Sequence, residues 1–318
     1  DGSVQMYGPT ATPHFTSLEG GEDHGVELLF TWNETGELTG VAVNVACPLQ
    51  IVEHKRFISA DAWSEVKRVL HARHGDGLFV LPLIGAAGDQ SPRDLVRCHR
   101  RVEADTQQHA SEHVQDARPL AQHAGEAEPD MWDEPGLVEI GARIAEAVER
   151  VLPQARSGIC TTPTFRHIVT PLALPARQVT AEEAAAARVR YQELAAQPGG
   201  SSTGNLRRQW QAILDRYARQ GEHPVYEMEL HVLRLGEIAL ATNPFELYLD
   251  YGLRIKARSR AQQTLIIQLA CDNGGYLPTA RAVAGGGYGA LVTNGRVGPE
   301  GGQRLVERTV ELINSLWA

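Results

Sequence analysis

The sequence is poor in cysteine, and its cysteines do not have the spacing of a metal-binding or redox motif. Four cysteines are spread over 318 residues, and none forms a CxxC pair. A disulfide-stapled scaffold and a CxxC zinc or redox centre are therefore excluded. So few cysteines are compatible with either a cytoplasmic or a secreted protein, and the compartment stays open.

Positive charge and long apolar runs are lacking as well. The chain has 30 Lys and Arg against 39 Asp and Glu, a net charge of -9. Nucleic-acid binding needs a concentrated basic surface, so nucleic acid is not expected as a partner. No apolar run approaches the ~20 residues that span a bilayer, and the N-terminus lacks a signal-peptide pattern. We therefore expect no transmembrane segment.

Nothing in the sequence divides the chain into separate domains. Pro/Ser-rich linkers and blocks of like charge are absent, and the content of 42% hydrophobic and 22% charged residues is ordinary for a globular protein. We predict one domain over residues 1–318. Because residue 1 is Asp rather than Met, we expect a processed or trimmed chain, or a piece of a longer one.

The order of predicted elements indicates an α/β fold. Two β-rich runs at 26–32 and 38–46 flank a turn-like Asn-Glu-Thr-Gly sequence and predict a hairpin. A helix over 60–74 and a buried strand over 78–84 follow, and a β-α-β crossover implies parallel pairing. We predict a mixed, largely parallel central sheet flanked by helices.

Two segments depart from this pattern. Residues 95–135 are polar and predict an insertion or lid; the HxxEH spelling at 109–113 within it is a zinc-binding pattern, but its solvated surroundings favour chance. Residues 178–221 predict a helical hairpin interrupted by a Gly/Ser-rich stretch. Further helices are predicted over 137–153, with Pro153 as the end, and over 245–257.

Several apolar runs stop at polar side chains. If these strands are parallel, their carboxyl ends open on one edge of the sheet, where α/β proteins bind ligands. The polar side chains at the ends of these predicted strands are Cys47, Asp89, Ser91, Glu246, Asp272 and Tyr276.

Four motifs taken in order resemble the catalytic domain of the neutral/alkaline, non-lysosomal ceramidases: GDQSP, NPFE, GGYLPT and GGGYG, which begin at residues 88, 243, 274 and 285. The resemblance runs from about Glu19 to the C-terminus and is weak across the insertion and the hairpin. It implies that the first part of the family domain lies upstream of residue 1, on a preceding segment or a separate chain.

The resemblance also implies site residues and a cofactor. The family uses zinc, held by two histidines, a glutamate and a tyrosine, beside a serine needed to cleave the amide of an N-acylated sphingoid base. By position, Ser91 matches that serine, Glu246 and Tyr276 match metal ligands, and Tyr288 matches a substrate-facing tyrosine. Cys47 stands where the family has a histidine. Thiolate is a good zinc ligand, so the altered set still permits a metal.

The predicted function is metal-assisted hydrolysis of an N-acyl amide from a small molecule or a lipid. Ser91 would attack the carbonyl or hydrogen-bond the oxyanion, with Asp89 in the same catalytic loop, and Tyr288 would steady the intermediate or protonate the leaving nitrogen. A metal-independent serine amidase or esterase and a catalytically inactive ceramidase-like binding module are the alternatives.

Each of these residues also has a purely structural interpretation. Ser91 and Glu246 each stand where a helix cap or capping box is expected. Cys47 is compatible with a small buried hydrophobe, and Tyr276 and Tyr288 with packing at a sheet edge. Only the position of these side chains in the fold separates the two interpretations.

Overall fold

The computed structural model describes residues 2–10, 12–96, 132–197 and 200–318. These ranges contain nine strands and seven α-helices, which confirms the α/β class. In chain order the strands are β1 Val26–Trp32, β2 Leu38–Val45, β3 Phe79–Ile84, β4 Phe165–Pro175, β5 Val225–Leu235, β6 Ile238–Thr242, β7 Phe245–Leu247, β8 Gln263–Ile267 and β9 Gly275–Leu277.

The helices alternate with these strands along the chain. They are α1 Ala62–His74, α2 Glu134–Ser157, α3 Ala181–Ala195, α4 Ser201–Arg219, α5 Leu249–Arg258, α6 Ala280–Gly285 and α7 Pro299–Ser315, with a 3-10 turn at Tyr288–Ala290. Helices α3 and α4 pack on each other as the predicted hairpin. None of the helices in the described ranges is both long and apolar enough to cross a lipid bilayer.

The strands are divided among three hydrogen-bonded sheets. The first has the order β1-β2-β3, the second β4-β5-β6-β8, and the third is the short pair β7-β9. Three pairings are parallel, β2 with β3, β6 with β8 and β7 with β9, and the other three described pairings are antiparallel. The mixed strand order is as predicted, but the strands do not join in one central sheet.

Each of the two larger sheets has its own hydrophobic core. Helices α1 and α2 cover the first sheet through Val66, Leu70 and Val148, which pack with Val41 and Val43 of β2. Alternating side chains of β4, β5 and β6 point into a second core that α5 and α7 close. The two cores are joined by buried Asn44, whose Nδ2 donates to Ile266 O at 2.9 Å.

Two predicted helix boundaries are wrong. Helix α2 continues through Pro153 to Ser157, because Leu152 and the residues before it keep its apolar face buried. Residues 245–247 form strand β7 rather than the start of a helix, and α5 begins only at Leu249. Almost all of the predicted lid and the whole HxxEH segment lie outside the described residues.

Candidate functional site

The carboxyl ends of four strands meet at one place in the molecule. Gly85 N donates to Val45 O at 2.8 Å, Gln268 N to Ile84 O at 3.1 Å, and Asn243 N to Ile267 O at 2.9 Å. These three bonds link the ends of β2, β3, β8 and β6 in turn. The carboxyl ends of these four strands are thereby brought to a common edge, which is where α/β folds bind ligands.

A buried glutamine fixes two of these strand ends to each other. Gln268 Oε1 accepts from Ala87 N and from Leu247 N, both at 3.2 Å. Gly88 N also donates to Leu247 O at 2.8 Å. The loop that carries Asp89 is therefore bound to the strand that carries Glu246 by backbone and side chain together.

Glu246 and Tyr276 are direct partners in the parallel pair β7-β9. The Tyr276 hydroxyl donates a hydrogen bond to the Glu246 carboxylate. Burial raises the pKa of Glu246 above its usual value of 4.5, although this hydrogen bond lowers it. Burial and the neighbouring Glu246 also raise the pKa of Tyr276 far above the usual 10, so the phenol is protonated.

Asp89 closes the N-terminal end of α5. Its Oδ1 accepts from Leu249 N at 2.7 Å, and burial raises its pKa. A helix N-terminus stabilises a carboxylate through its free N–H groups, so this interaction anchors the loop of Asp89 and Ser91. The structural role of Asp89 is thus established by a direct contact, and its catalytic role stays a prediction.

Tyr248 lies among three carboxylates. It is buried, and its pKa is raised first by burial and then by Glu19, Asp89 and Glu246. The pKa of Glu19 is itself raised by burial and by Asp89, and Arg281 partly offsets this. Partly buried negative charge is thus concentrated beside Glu246, which is the setting that a divalent cation stabilises.

Ser91 occupies a turn and not a helix cap. Its Oγ accepts from Arg93 N at 3.2 Å, and helical backbone begins only at residue 95. The Arg93 guanidinium lies between two aromatic rings, 3.8 Å from the centroid of Tyr7 and 3.5 Å from that of Trp132. Because Tyr7 in turn neighbours Tyr276, the turn of Ser91 is linked to the Glu246–Tyr276 pair through Arg93 and Tyr7.

Tyr288 stands beside Tyr276 with its side chain accessible. The two rings are in edge-to-face contact, with centroids 5.7 Å apart and an angle of 81° between planes. Tyr288 is 46% exposed, at the first residue of the 3-10 turn. The Tyr288 side chain is therefore accessible next to the Glu246–Tyr276 pair, and its contact with substrate stays a prediction.

Cys47 follows β2 at the same edge but is held as a neutral thiol. Burial, and then the charge of Asp61, raise its pKa to about 12. Its Sγ is 3.8 Å from Pro48 O. A ligating thiolate would have to lose this proton to a metal, so Cys47 is a poorer ligand here than the two oxygen groups.

The N-terminal segment crosses this edge. Val4 N donates to Gly285 O at 2.8 Å, and Thr10 Oγ1 donates to Leu95 O at 3.0 Å. Between them, Gln50 Nε2 lies 3.4 Å from the Tyr7 hydroxyl. Residues 4–10 thus span from the glycine-rich loop to the far side of the Ser91 turn.

A cavity of about 760 Å³ is lined by the helical hairpin and by residues 273–275 and 292–296. Arg177, Arg216 and Arg296 line it. Burial and then the charges of the two other arginines lower the pKa of Arg216. Asp272 accepts a hydrogen bond from the hydroxyl of Tyr226, another residue that lines this cavity, at 2.7 Å.

Sequence reasoning missed Gln268, Tyr248, Glu19 and Tyr7. Tyr248 could have been predicted from the sequence, because it lies two residues after Glu246 and before an apolar helix. Gln268, the polar residue after an apolar strand, is a second available signal. Tyr7 and Glu19 reach the site through long-range folding of an irregular segment, and no local pattern indicates that.

Comparison with known proteins supports the fold. No protein-family model and no curated protein matches the chain. Among solved structures, it resembles neutral ceramidase from Pseudomonas aeruginosa with a TM-score of 0.58 and 16% identity, over 96% of this chain and 48% of that one. It also resembles a ceramidase complexed with C2, with a TM-score of 0.55 and 14% identity, over 96% of this chain and 50% of that one. The fold is therefore ceramidase-like, and the chain spans about half the length of these structures.

Proposed function

We propose that this chain is a metal-assisted hydrolase that cleaves the amide bond of an N-acyl compound. The substrate class is a small-molecule or lipid N-acyl amide. Two considerations support the proposal: the ceramidase-like fold, and a cluster of carboxylates and phenols at the edge where the strand ends meet. The proposal assigns Ser91 to the reacting carbonyl and a metal to the vicinity of Glu246 and Tyr276.

The pairing of Glu246 with Tyr276 is the observation that carries the proposal. A carboxylate and a phenol that form a hydrogen bond across two short parallel strands are brought together from residues 30 positions apart in the chain. Packing alone does not require this pair, because an apolar pair would satisfy a buried sheet edge without a cost of desolvation. Two oxygen ligands side by side are, in contrast, half of a typical metal site.

Glu246, Tyr276 and Cys47 are the residues that would hold the ion. Bound zinc supplies a water of lowered pKa and polarises the carbonyl oxygen. The Tyr276 phenol and the Cys47 thiol each lose a proton when they become ligands, since both have a raised pKa in this site. Metal binding is therefore expected to become tighter as the pH rises.

The other residues act on the substrate directly. The Ser91 hydroxyl is assigned to the reacting carbonyl, where it attacks the carbon or donates to the developing oxyanion. Tyr288 is assigned to the leaving nitrogen, to which its phenol can donate. Asp89 holds the loop of Ser91 against α5 through Leu249 N. Tyr7 and Arg93, which contact each other, are assigned to the Ser91 side of the site.

Amide hydrolysis by zinc-loaded protein tests the proposal. Ser91→Ala is expected to lower kcat by about 10²- to 10⁴-fold, the usual effect of removing a nucleophile or an oxyanion donor. Ser157→Ala is the matched control, because Ser157 bonds only to the end of α2 through Gln154 O. Equal turnover by the two variants would reject the role of Ser91.

The neutral state of Cys47 favours one alternative, a serine amidase without metal. Removal of bound metal by a chelator distinguishes the two functions. Loss of activity on chelation and its return with zinc support the metal-assisted reaction. Full activity after chelation supports the metal-independent enzyme. No activity in any metal state, for a folded protein, supports a binding module of ceramidase-like fold.

A further inference from the structure

We propose a second, separate metal site on the outer face of the four-stranded sheet, formed by Glu229, His231 and Cys271. One ligand atom from each of these residues lies within 4.8 Å of the ligand atoms of the other two. It is the one such group of His, Cys, Asp or Glu among the described residues. The proposed ligand is a borderline-soft divalent ion, with zinc as the first candidate.

Strand geometry places two of the three groups. Glu229 and His231 are two residues apart on β5, so their side chains project from the same face of the sheet. Their neighbours Met228, Leu230 and Val232 are buried on the opposite face. The site therefore lies on the side of β5 that faces away from the core shared with Tyr226, Phe245 and the Glu246 strand.

An irregular loop carries the third proposed ligand, Cys271. Cys271 follows β8 and has a backbone φ of 71°, in the left-handed region that non-glycine residues rarely adopt. Leu269, two residues earlier, also has a positive φ, of 53°. Ala270 N donates to Asn243 O at 2.9 Å, which holds the loop to the end of β6. This conformation directs Cys271 to the outer face while the next residue, Asp272, bonds Tyr226.

The donor set fits zinc better than calcium or magnesium. Imidazole nitrogen, thiolate sulfur and carboxylate oxygen are all zinc ligands, whereas the hard ions prefer oxygen alone. His231 Nε2 and Glu229 Oε1 are 2.7 Å apart in a hydrogen bond. A metal ion would replace the shared proton, and a small widening of this pair gives the separation of two ligands around one ion. Three protein donors leave the fourth position open toward solvent.

A second histidine supports the orientation of the first. His167 Nε2 lies 3.0 Å from His231 Nδ1, and the two rings stack with centroids 5.2 Å apart. When His231 Nε2 binds a metal, its Nδ1 carries the proton and donates it to His167 Nε2. A metal-bound histidine usually donates its other N–H in this way. His167 is therefore a positioning residue and not a ligand.

Cobalt binding to the full chain tests this site. Co²⁺ replaces zinc and gives a near-ultraviolet charge-transfer band only when a thiolate is a ligand. The band is expected in Cys47→Ser, which lacks the thiol of the candidate active site, and is expected to disappear when Cys271→Ser is added to that variant. Cys160→Ser is the matched control, because Cys160 is another exposed free cysteine, remote from the cluster. Unchanged thermal unfolding of Cys271→Ser will show that the variant is folded.

The Cys47→Ser background and one further variant make the cobalt experiment more specific. Cys47→Ser should keep the band, since Cys47 belongs to the candidate active site; this makes failure here distinguishable from failure of the proposed hydrolase. His167→Ala should keep the band but weaken cobalt affinity about 10- to 100-fold. The proposal is overturned if Cys47→Ser gives no band, or if the double variant Cys47→Ser, Cys271→Ser retains it.

Discussion

Glu246 is held in a position that costs the folded protein free energy. Its carboxylate is partly buried, its pKa is raised by that burial, and a phenol rather than a cation is its partner. Because the folded state holds the Glu246 proton more tightly than the unfolded chain does, this residue adds stability at low pH and loses that contribution as the pH rises through the raised pKa. At neutral pH the charged carboxylate is a net cost, as is usual for functional residues.

Glu246→Gln is expected to stabilise the metal-free protein at pH 7. The amide keeps an oxygen that accepts from Tyr276 and carries no charge, so the free energy of unfolding should rise by about 0.5–2 kcal/mol. The gain should shrink toward zero as the pH falls below 4.5, the ordinary pKa of the group. Denaturant unfolding at several pH values measures both effects. The same variant should bind less zinc if Glu246 is a ligand, as we propose.

Glu65→Gln is the control with the opposite sign. A hydrogen bond from Arg68 lowers the pKa of Glu65, so its contribution to stability is present above pH 4.5 and is lost as the pH falls through the lowered pKa. This variant should be less stable than wild type at pH 7. A Glu246→Gln protein that is destabilised to the same degree at pH 7 would contradict the account of Glu246.

Cys47 is expected to react slowly with alkylating agents. Its pKa of about 12 leaves little thiolate at pH 8, and it is half-buried. In the native protein, Cys160, which is exposed, should be labelled well before Cys47. Mass spectrometry of peptides after timed labelling gives both rates. Labelling of Cys47 at the rate of Cys160 would mean that the Cys47 thiol is not shielded from solvent and that its pKa is not raised.

The sequence indicated these residues better than it indicated their surroundings. Glu246 and Tyr276 were found from motif order, yet Glu246 was expected in a helix, because Asn-Pro-Phe-Glu has the form of a helix start. The strand forms instead because Phe245 and Leu247 are fully buried and β9 supplies a partner. That partner lies 30 residues away, and local propensity contains no information about it.

At the scale of elements, the loop that carries Gly88 and Asp89 packs closely against strand β7 of the short pair β7-β9. An added Cβ at Gly88 would lie 2.2 Å from the Glu246 carbonyl oxygen. This contact is with backbone, so neither side can yield by a simple change of rotamer. The loop of Asp89 and Ser91 can therefore approach β7 only with glycine at position 88.

Gly88→Ala is expected to lower the free energy of unfolding by about 1–3 kcal/mol, as overpacking in a rigid site does. It should also reduce amide hydrolysis, because the Ser91 loop moves away from Glu246. Thermal unfolding and initial rates measure the two effects. Gly77→Ala is the control, since an added Cβ there meets nothing within 4 Å; its effect should stay within about 0.5 kcal/mol. Equal effects of the two variants would contradict the close approach.

Periodicity gave most elements correctly and failed where packing outweighed a local signal. The helix of the β-α-β unit and the two hairpin helices lie close to their predicted ranges. Pro153 was expected to end α2, because proline lacks an N–H and clashes with the preceding turn. The burial of Ile144, Val148 and Leu152 on the same face outweighs the loss of one hydrogen bond.

At the scale of the whole molecule, two sheets meet at a seam, and the N-terminal segment closes over the end of it. The prediction of one central sheet missed this seam. Strand β8 meets β3 only beyond its last paired residue, through the hydrogen bond from Gln268 N to Ile84 O. Hydrophobic runs identify strands but do not assign them to sheets. The path of residues 4–10 across the site is equally a product of long-range contacts.

Removing the ring of Tyr7 is expected to make room for substrate on the Ser91 side of the site. The contact with the Arg93 guanidinium is worth about 0.5–1 kcal/mol at an accessible site. Tyr7→Ala should therefore raise kcat/KM for amides with bulky acyl groups about 2- to 5-fold, and leave small amides unchanged. Met6→Ala is the control, because Met6 is an exposed neighbour. A fall in kcat/KM for bulky substrates would instead mean that Tyr7 is part of the substrate pocket.

The position of a bound metal tests the central claim most directly. Crystals of the full chain grown with zinc, measured at the zinc absorption edge, should give an anomalous peak at the Glu246 carboxylate and the Tyr276 phenol, separate from any peak at Cys271. The peak at Glu246 should vanish in Glu246→Gln crystals. A zinc-saturated protein with no anomalous density at Glu246 and Tyr276 would contradict the assignment of this strand pair as a metal centre.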